Sequence, residues 1–255
     1  MISVQVFSAI RLTRRTSKDM YGIKGKIGVI VPSLNNTLEP EFNRMVPDGF
    51  AIYATRLPLE RGLPEDLKAM AEEVEFAGRL LKHAEVDVIA YCCTSGSLIE
   101  GADWDEALSQ RIQEVTNLPV ITTASSVVSA MKKLELKSVS VATPYIDQIN
   151  EIERHFIENH GISVTNIEGL NIVTGAELHQ LDQVVAKSFC RTSADHGSDG
   201  LFISCTDFAA IDFIEELEND LNKPVFTSNT ATLWNIMRIM KSNQKIMGFG
   251  SLLTS

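Results

Sequence analysis

Two pairs of landmarks in this chain lie at the same separation, which constrains its fold more than any other feature. Cys93 and Cys205 each end an apolar, strand-like run, each is followed by threonine, and they lie 112 residues apart. Pro32 and Pro144 end two further apolar runs and are also 112 residues apart. This shared offset predicts two structurally related halves. Such halves would bring the two thiols together across a pseudo-symmetric cleft.

From Lys26 onward, short β-branched runs alternate with segments of helical periodicity. The predicted strands are 27–31, 50–56, 86–91, 120–122, 138–142, 163–167, 200–204 and 225–227. The predicted helices are 39–45, 64–83, 103–116, 125–134, 146–159, 176–196, 208–220 and 230–240. Strands separated by helices predict parallel sheets with right-handed crossovers. The fold class is therefore α/β, with two pseudo-symmetric flavodoxin-like lobes and an active site in the cleft between them.

These patterns divide the chain into four segments. An N-terminal lobe is predicted over 24–120 and a C-terminal lobe over 121–224, followed by a strand and helix over 225–255 that pack back on the first lobe. Residues 1–23 carry four basic residues before the first acid and show no sustained periodicity. Because the marks of a signal peptide are absent, we expect a disordered or non-native extension there.

The composition of the chain limits the kinds of molecule that it is expected to bind. The chain has 23 basic and 33 acidic residues, a formal charge of −10. Phosphate binding needs clustered Lys and Arg, so nucleic acid and anionic membranes are not expected as partners. No apolar stretch reaches the roughly 18–20 residues of a membrane span. The four cysteines do not form a dense disulfide framework, which predicts reduced thiols in the cytoplasm.

The paired cysteines lie where a parallel sheet binds ligands, at the carboxyl ends of strands. Cys93 opens a Cys-Thr-Ser-Gly-Ser turn, whose amides and hydroxyls suit a carboxylate. The same amides predict a lowered thiol pKa and a thiolate near neutral pH. A lone cysteine is most often a small core residue. The repeat-matched partner Cys205 favours a functional role instead.

The other two cysteines are interpreted as core residues. Neighbouring side chains of a strand face opposite ways, so only one of Cys92 and Cys93 can face the cleft. Cys93 adjoins the small-residue turn and is the better placed of the two. Cys190 lies within a helical pattern.

No cofactor or metal site is predicted. The histidines show no HxxH or HExxH spacing, no CxxC occurs, and neither glycine-rich phosphate motif is present. Each histidine is interpreted as a solvated residue on a polar helix face: His83, His155, His160, His179 and His196. A reaction without a cofactor is the simplest expectation.

The loop after the first strand offers Ser33, Asn35, Asn36 and Thr37. Asparagine is a neutral donor that suits a substrate carboxylate. It is also a common turn and helix-capping residue, and the loop alone favours that second interpretation.

Four motifs in order resemble the aspartate/glutamate racemase superfamily over about residues 24–240. They are Pro-Ser-x-Asn-x-Thr-x-Glu from Pro32, Cys-Thr-Ser-Gly-Ser from Cys93, Ala-Thr-Pro-Tyr from Ala142, and Ser-Cys-Thr from Ser204. More narrowly, they resemble its branch of maleate cis-trans isomerases, arylmalonate decarboxylases and ectoine-utilisation proteins of the EutA type.

The resemblance implies a set of site residues. Cys93 and Cys205 match the two catalytic cysteines. The remaining matches imply contacts to a substrate carboxylate, and they are Asn35, Thr94, Ser95, Tyr145, Asn171 and Thr206. Asn171 rests on an Asn-x-x-Val-Gly motif from which Thr174 departs. A homodimer is common in the resembling family.

The resemblance also implies the chemistry. The decarboxylases carry glycine where this chain has Cys93, so two cysteines favour a cofactor-independent isomerase or racemase acting on a small carboxylate, with maleate as the first candidate. In such schemes one thiolate adds to the substrate or removes a proton, and the other thiol supplies one. An EutA-like enzyme of ectoine or hydroxyectoine degradation, an arylmalonate-type decarboxylase and a non-catalytic sensor of small acids are the alternatives.

Overall fold

Two four-stranded parallel sheets with the same strand order form the framework. The computed structural model describes residues 21–255, so most of the predicted extension over 1–23 lies outside the described residues. The first sheet runs β2-β1-β3-β4 and the second β6-β5-β7-β8. The strands are β1 (Gly25–Pro32), β2 (Phe50–Leu57), β3 (Val88–Tyr91), β4 (Val120–Thr122), β5 (Ser138–Thr143), β6 (Ser163–Gly169), β7 (Gly200–Ile203) and β8 (Val225–Thr227). The predicted α/β class with two pseudo-symmetric lobes is confirmed.

Helices connect successive strands and cover the sheets. They are α1 (Leu38–Met45), α2 (Pro64–Met70), α3 (Val74–His83), α4 (Thr94–Leu98), α5 (Ala102–Thr116), α6 (Thr123–Lys133), α7 (Asp147–Asn159), α8 (Gly175–Leu178), α9 (Gln183–Ser193), α10 (Ile214–Leu221) and α11 (Ser228–Ile239). The central strands β3 and β7 are buried along their whole length. Burial on both faces is what a parallel sheet between helix layers requires.

Two predicted helices are each broken in the structure. The segment 64–83 divides into α2 and α3 at a 3₁₀ turn, Ala71–Glu73. The segment 176–196 divides into α8 and α9, because the carboxylate of Asp182 caps α9 by accepting from the backbone N–H groups of Val184 and Val185. The second break shapes the site, since α8 ends beside the cleft.

The two lobes are joined through α6 and α11, which follow the last strand of each sheet. Thr232 Oγ1 donates to Thr123 Oγ1 at 3.2 Å, and Asn235 Nδ2 donates to Ser126 Oγ at 3.0 Å. Both helices begin at a threonine capping box, Thr122 for α6 and Thr227 for α11. The lobes therefore meet along a matched pair of helices with polar groups satisfied across the contact.

The predicted boundaries need two corrections. The division between 120 and 121 falls inside β4, which belongs wholly to the first sheet. The segment 225–255 was expected to pack back on the first lobe, but its strand β8 pairs with β7 in the second sheet. Its helix α11 contacts both lobes, and Leu233 and Ile236 lie in a core shared with β1 and β7. No helix within residues 21–255 is long and apolar enough to cross a membrane.

Burial of α6 predicts a stability difference between two identical substitutions. Val127 on α6 is 3% exposed, whereas Val184 on α9 is 70% exposed. We expect Val127→Ala to lower the free energy of unfolding by about 2 kcal/mol, because it leaves a cavity in the second lobe's core. Val184→Ala should change it by less than about 0.5 kcal/mol. Urea denaturation of both variants measures the difference, and equal effects would contradict the packing of α6.

Candidate active site

A cavity lies between the lobes at the carboxyl ends of the strands. Both Cys93 and Cys205 line it, one from each lobe. Five other predicted site residues also line it: Asn35, Thr94, Ser95, Tyr145 and Thr206. Most of the remaining wall is apolar, and no Lys, Arg or His of the described chain contributes to it. The cavity therefore offers two thiols and neutral donors to a small molecule.

Cys93 occupies the N-cap position of α4. Its extended backbone turns Sγ toward the helix start, where Sγ accepts from the Gly96 N–H at 3.3 Å and lies 3.9 Å from Ser95 Oγ. Burial raises the pKa of the thiol to about 11, although the contacts to Gly96 and Ser95 oppose that effect. The prediction of a thiolate near neutral pH is wrong, because burial raises the pKa of the Cys93 thiol more than the contacts to Gly96 and Ser95 lower it.

Cys205 follows β7 in a strained conformation. Its φ of 90° lies in the left-handed region, which residues with a Cβ rarely adopt. Strain of this kind concentrates at functional sites. Sγ accepts from the Asp207 N–H at 3.3 Å. Burial raises the pKa of this thiol well above its ordinary value, and the nearby Asp207 carboxylate adds to the shift. Burial therefore favours the neutral thiol over the thiolate at both cysteines near pH 7.

Asn35 and Thr206 connect the lobes inside the cavity. Asn35 Oδ1 accepts from the backbone N–H groups of Thr37 and Leu38, which fixes the start of α1. Asn35 Nδ2 donates to Thr206 Oγ1 at 3.0 Å, and Thr206 Oγ1 donates to the carbonyl of Cys92. One N–H of Asn35 is left for a ligand. Asn35 can therefore cap α1 with its Oδ1 and bind a ligand with its Nδ2, so both interpretations of this residue fit the structure.

Thr94 and Ser95 differ in what they can offer a ligand. Thr94 Oγ1 donates to Ser228 Oγ at 2.8 Å and so ties α4 to α11. Among residues 21–255, Ser95 Oγ has only the long contact to Cys93. The hydroxyl hydrogen of Ser95 is therefore the freer of the two for a carboxylate oxygen.

Tyr145 places a buried hydroxyl in the cavity. Within the described chain its Oη makes no hydrogen bond, although the side chain is only 7% exposed. Burial raises its pKa well above the ordinary value, so the phenol stays protonated. A buried donor without a partner is costly, and a substrate oxygen would satisfy it.

Cys92 and Cys190 lie away from the cavity. Cys92 packs in a core cluster on the other face of β3, and its Sγ donates to the carbonyl of Ala90. Cys190 is fully buried on α9 in the same cluster. Both positions fit the interpretation that only one cysteine of each lobe serves the site.

Comparison with known proteins identifies the family. The profile described as arylmalonate decarboxylase matches residues 27–253. An arylmalonate decarboxylase from Bordetella bronchiseptica is 30% identical over 229 residues, which cover 89% of this chain and 95% of the relative. The chain belongs to the arylmalonate decarboxylase family. The branch suggested by the sequence motifs is confirmed.

Maleate isomerases are also similar to this chain. One from Pseudomonas putida is 26% identical over 242 residues, which cover 90% of this chain and 97% of the relative. The crystal structure of a Nocardia farcinica maleate cis-trans isomerase variant with a covalently bound succinylcysteine intermediate superposes with a TM-score of 0.86. That structure shares 23% identity and covers 90% of this chain and 98% of its own, so it supports the fold.

Asn171 is the one predicted site residue that does not reach the cavity. It is exposed, with φ of 57°, and its backbone N–H donates to the carbonyl of Tyr145. The next three residues, 172–174, line the cavity instead. Asparagine tolerates the left-handed conformation that this turn requires, which explains the residue without a ligand. The structure therefore does not bring Asn171 to the cavity with the other predicted site residues, and its contact with substrate stays a prediction.

Asp207 and His179 are cavity neighbours that the sequence motifs did not reveal. Asp207 lines the cavity, and its Oδ1 accepts from the backbone N–H groups of Asn36 and Thr37 across the lobes. Its Oδ2 lies 2.8 Å from His179 Nε2. Burial raises the pKa of Asp207 above its ordinary value. His179 was interpreted as solvated, but its side chain is only 24% exposed and pairs with Asp207.

The position of Tyr145 depends on a glycine. A Cβ on Gly169 would lie 2.2 Å from the Tyr145 carbonyl oxygen and 2.4 Å from Asn150 Nδ2. We expect Gly169→Ala to displace Tyr145 by an amount of order 1 Å and to lower turnover about 100-fold. Gly197→Ala is the matched control, because its nearest neighbour would be 3.5 Å away. Steady-state kinetics of the two variants measure the difference in turnover. Equal turnover would show that the reaction does not depend on the position of Tyr145.

Proposed function

We propose that this protein is a cofactor-independent two-cysteine isomerase of a small carboxylate, with maleate as its first candidate substrate. One observation carries the proposal: Cys93 and Cys205 line a single cavity from opposite lobes. Two thiols on opposite walls can attack and protonate one molecule from its two faces. The maleate isomerases among the relatives, and the succinylcysteine formed on one of them, support the same chemistry.

The two thiols receive different roles in this proposal. Cys93 is the nucleophile, because burial raises the pKa of its thiol less than that of Cys205. The Cys93 S–H proton passes to a carboxylate of the substrate, the sulfur forms a C–S bond as the carbon–carbon π bond breaks, and Cys205 delivers its proton to the adjacent carbon. Rotation about the new single bond follows. The Cys205 thiolate then recovers its proton, the C–S bond breaks as Cys93 takes its proton back from the carboxylate, and the double bond re-forms as the trans isomer.

Neutral hydrogen-bond donors bind the negatively charged carboxylates of the substrate. Ser95 Oγ, Tyr145 Oη and the free N–H of Asn35 face a ligand in the cavity, and each can donate to a carboxylate. Negative charge that spreads onto the carboxylate during the addition strengthens these hydrogen bonds. The apolar remainder of the wall excludes water, which increases their effect.

A decarboxylase is the second candidate, because an arylmalonate decarboxylase is 30% identical to this chain. Cys205 would then protonate the carbanion left by loss of CO₂. Cys93 argues against this candidate, since a single proton donor suffices for that reaction. The EutA-like alternative stays a proposal of the same class, with ectoine or hydroxyectoine derivatives as substrates.

We also propose that the protein acts as a homodimer in the cytoplasm. Phe76 and Leu80 lie four residues apart on α3 and are 53% and 42% exposed, which provides an apolar surface for a second copy. All four cysteines are free, which suits a reducing compartment.

Proton NMR in D₂O tests the reaction. Maleate, chiral amino and hydroxy acids, hydroxyectoine and phenylmalonate are each incubated with the enzyme. We expect the maleate signal to convert to that of fumarate. Deuterium at an α-carbon of a chiral acid would indicate a racemase, and CO₂ loss from phenylmalonate a decarboxylase. No conversion of maleate would reject it as the substrate.

Substitution of each cysteine tests the mechanism. Cys93→Ala and Cys205→Ala should each lower turnover at least about a thousandfold, because each removes a reacting group. Binding measured by calorimetry should persist in both, which separates an enzyme from a sensor. Cys190→Ala is the control, since that thiol is buried on α9 and should leave turnover unchanged. Unchanged turnover in either cavity variant would disprove the two-thiol mechanism.

A further inference from the structure

A buried carboxyl group accepts a hydrogen bond from the residue that immediately precedes Cys205. Glu153 on α7 is 1% exposed, and its Oε1 accepts from Ser204 Oγ at 2.7 Å. Its Oε2 makes no hydrogen bond within residues 21–255. Burial raises the pKa of Glu153 to about 7, and only the bond from Ser204 opposes that effect. A carboxyl in this setting gains and loses a proton near neutral pH.

Two hydroxyl groups lie near both Glu153 and Cys205. Ser204, which donates to Glu153 Oε1, immediately precedes Cys205. The Tyr145 hydroxyl lies near enough to Cys205 to lower the pKa of the thiol, and Ser204 near enough to lower the pKa of Tyr145. Within residues 21–255, Tyr145 Oη and Glu153 Oε2 are buried and make no hydrogen bond, so each has capacity left for a proton transfer. A hydroxyl can both donate and accept, so the two hydroxyls can pass a proton between thiol and carboxyl.

The repeat provides a matched carboxyl that is arranged differently. Glu41 on α1 lies 112 residues before Glu153 and is also buried. Its Oε1 accepts from the Ala210 N–H, and its Oε2 accepts from Asn229 Nδ2. Both oxygens of Glu41 are thus committed to joining the lobes. The free oxygen of Glu153 has no such structural explanation.

We propose that Glu153 acts through Cys205, as a positioning residue whose carboxyl group exchanges a proton with the thiol by way of Ser204 and Tyr145. The proposal rests on the proposed role of Cys205 as proton donor and acceptor. When Cys205 loses its proton in the absence of substrate, the S–H proton moves to Tyr145 Oη, the Tyr145 proton to Ser204 Oγ, and the Ser204 proton to Glu153 Oε1. One S–H bond breaks, one O–H bond forms on Glu153, and the negative charge moves from carboxylate to sulfur. The reverse transfer restores the thiol.

Few other titratable groups face this path. Tyr145 and Cys205 belong to it, Cys93 lies across the cavity, and Asp207 lies beyond Cys205. The packed elements α4 and β7 carry no titratable side chain. Glu168 on β6 accepts from Asn166 and Ser193 instead. On α7 itself, Arg154 pairs with Glu151 and donates to the carbonyl of Val164.

Alkylation of Cys205 by iodoacetamide tests the path without any substrate. The reaction is followed from pH 5.5 to 10 in the Cys93→Ala background, with peptide mapping to assign the modified thiol. We expect the rate to rise as Glu153 loses its proton near pH 7, to level off, and to rise again at alkaline pH. Adding Glu153→Gln should remove the inflection and slow alkylation at pH 8 about tenfold.

The outcomes distinguish a proton acceptor from a charge and from a structural residue. Alkylation that is faster above pH 7 in E153Q would show that the carboxylate only repels the thiolate, and equal rates would show no coupling. An inflection that persists in E153Q would assign it to Asp207. Each of these results would overturn the proposal.

Two further variants separate loss of the proton path from misfolding of E153Q and from a change of surface charge. Tyr145→Phe removes the hydroxyl of the path and leaves Glu153 in place, so it should also abolish the inflection. Glu151→Gln removes an exposed carboxylate two residues away and should leave the profile unchanged. Because no substrate is involved, failure of maleate turnover would leave the alkylation result standing on its own.

Discussion

Polar contacts across the lobes hold the whole site together. The Asp207 carboxylate accepts two backbone N–H groups from the opposite lobe, and the amide of Asn35 bonds Thr206 on the other side of the same boundary. The bonds from Thr37 and Asn35 are buried and the bond from Asn36 is partly buried. A buried polar group left without its partner costs about 1–3 kcal/mol. These bonds set the distance between the strand ends. The cavity, and the facing of its two thiols, depend on that distance.

Burial then decides the chemical state of the thiols. The cavity wall is mostly apolar and holds no cationic side chain of the described chain, so burial favours the neutral thiol at each cysteine near pH 7. A reaction that needs a thiolate must therefore move protons within the site when the substrate is bound. Buried groups that titrate near neutral pH can accept and release those protons. The same wall also favours substrates whose carboxylates bind to neutral donors rather than to a salt bridge.

The sequence predicted the symmetric features of this molecule and missed the asymmetric ones. A constant offset was enough to pair Cys93 with Cys205, since equivalent strand ends of related lobes meet at one cleft. Asn171 does not line the cavity, and a short motif could not show this because it does not fix which residue of a turn points inward. The pairing of His179 with Asp207 could not be predicted from the sequence. It depends on the end of α8 just before His179, and the predicted single helix 176–196 did not show the break that the Asp182 cap makes there. Long-range contacts of this kind leave no periodic signal.

Divergence of the two halves explains how one framework supports two unlike thiols. The residue before Cys205 is Ser204, which bonds Glu153, whereas the residue before Cys93 is Cys92, which packs in the core. Glu41 consequently has no hydroxyl behind its own lobe's cysteine and bonds the opposite lobe instead. A symmetric pair of buried carboxyls has thus become one structural link and one titratable group. That asymmetry is what a reaction with one nucleophile and one proton carrier requires.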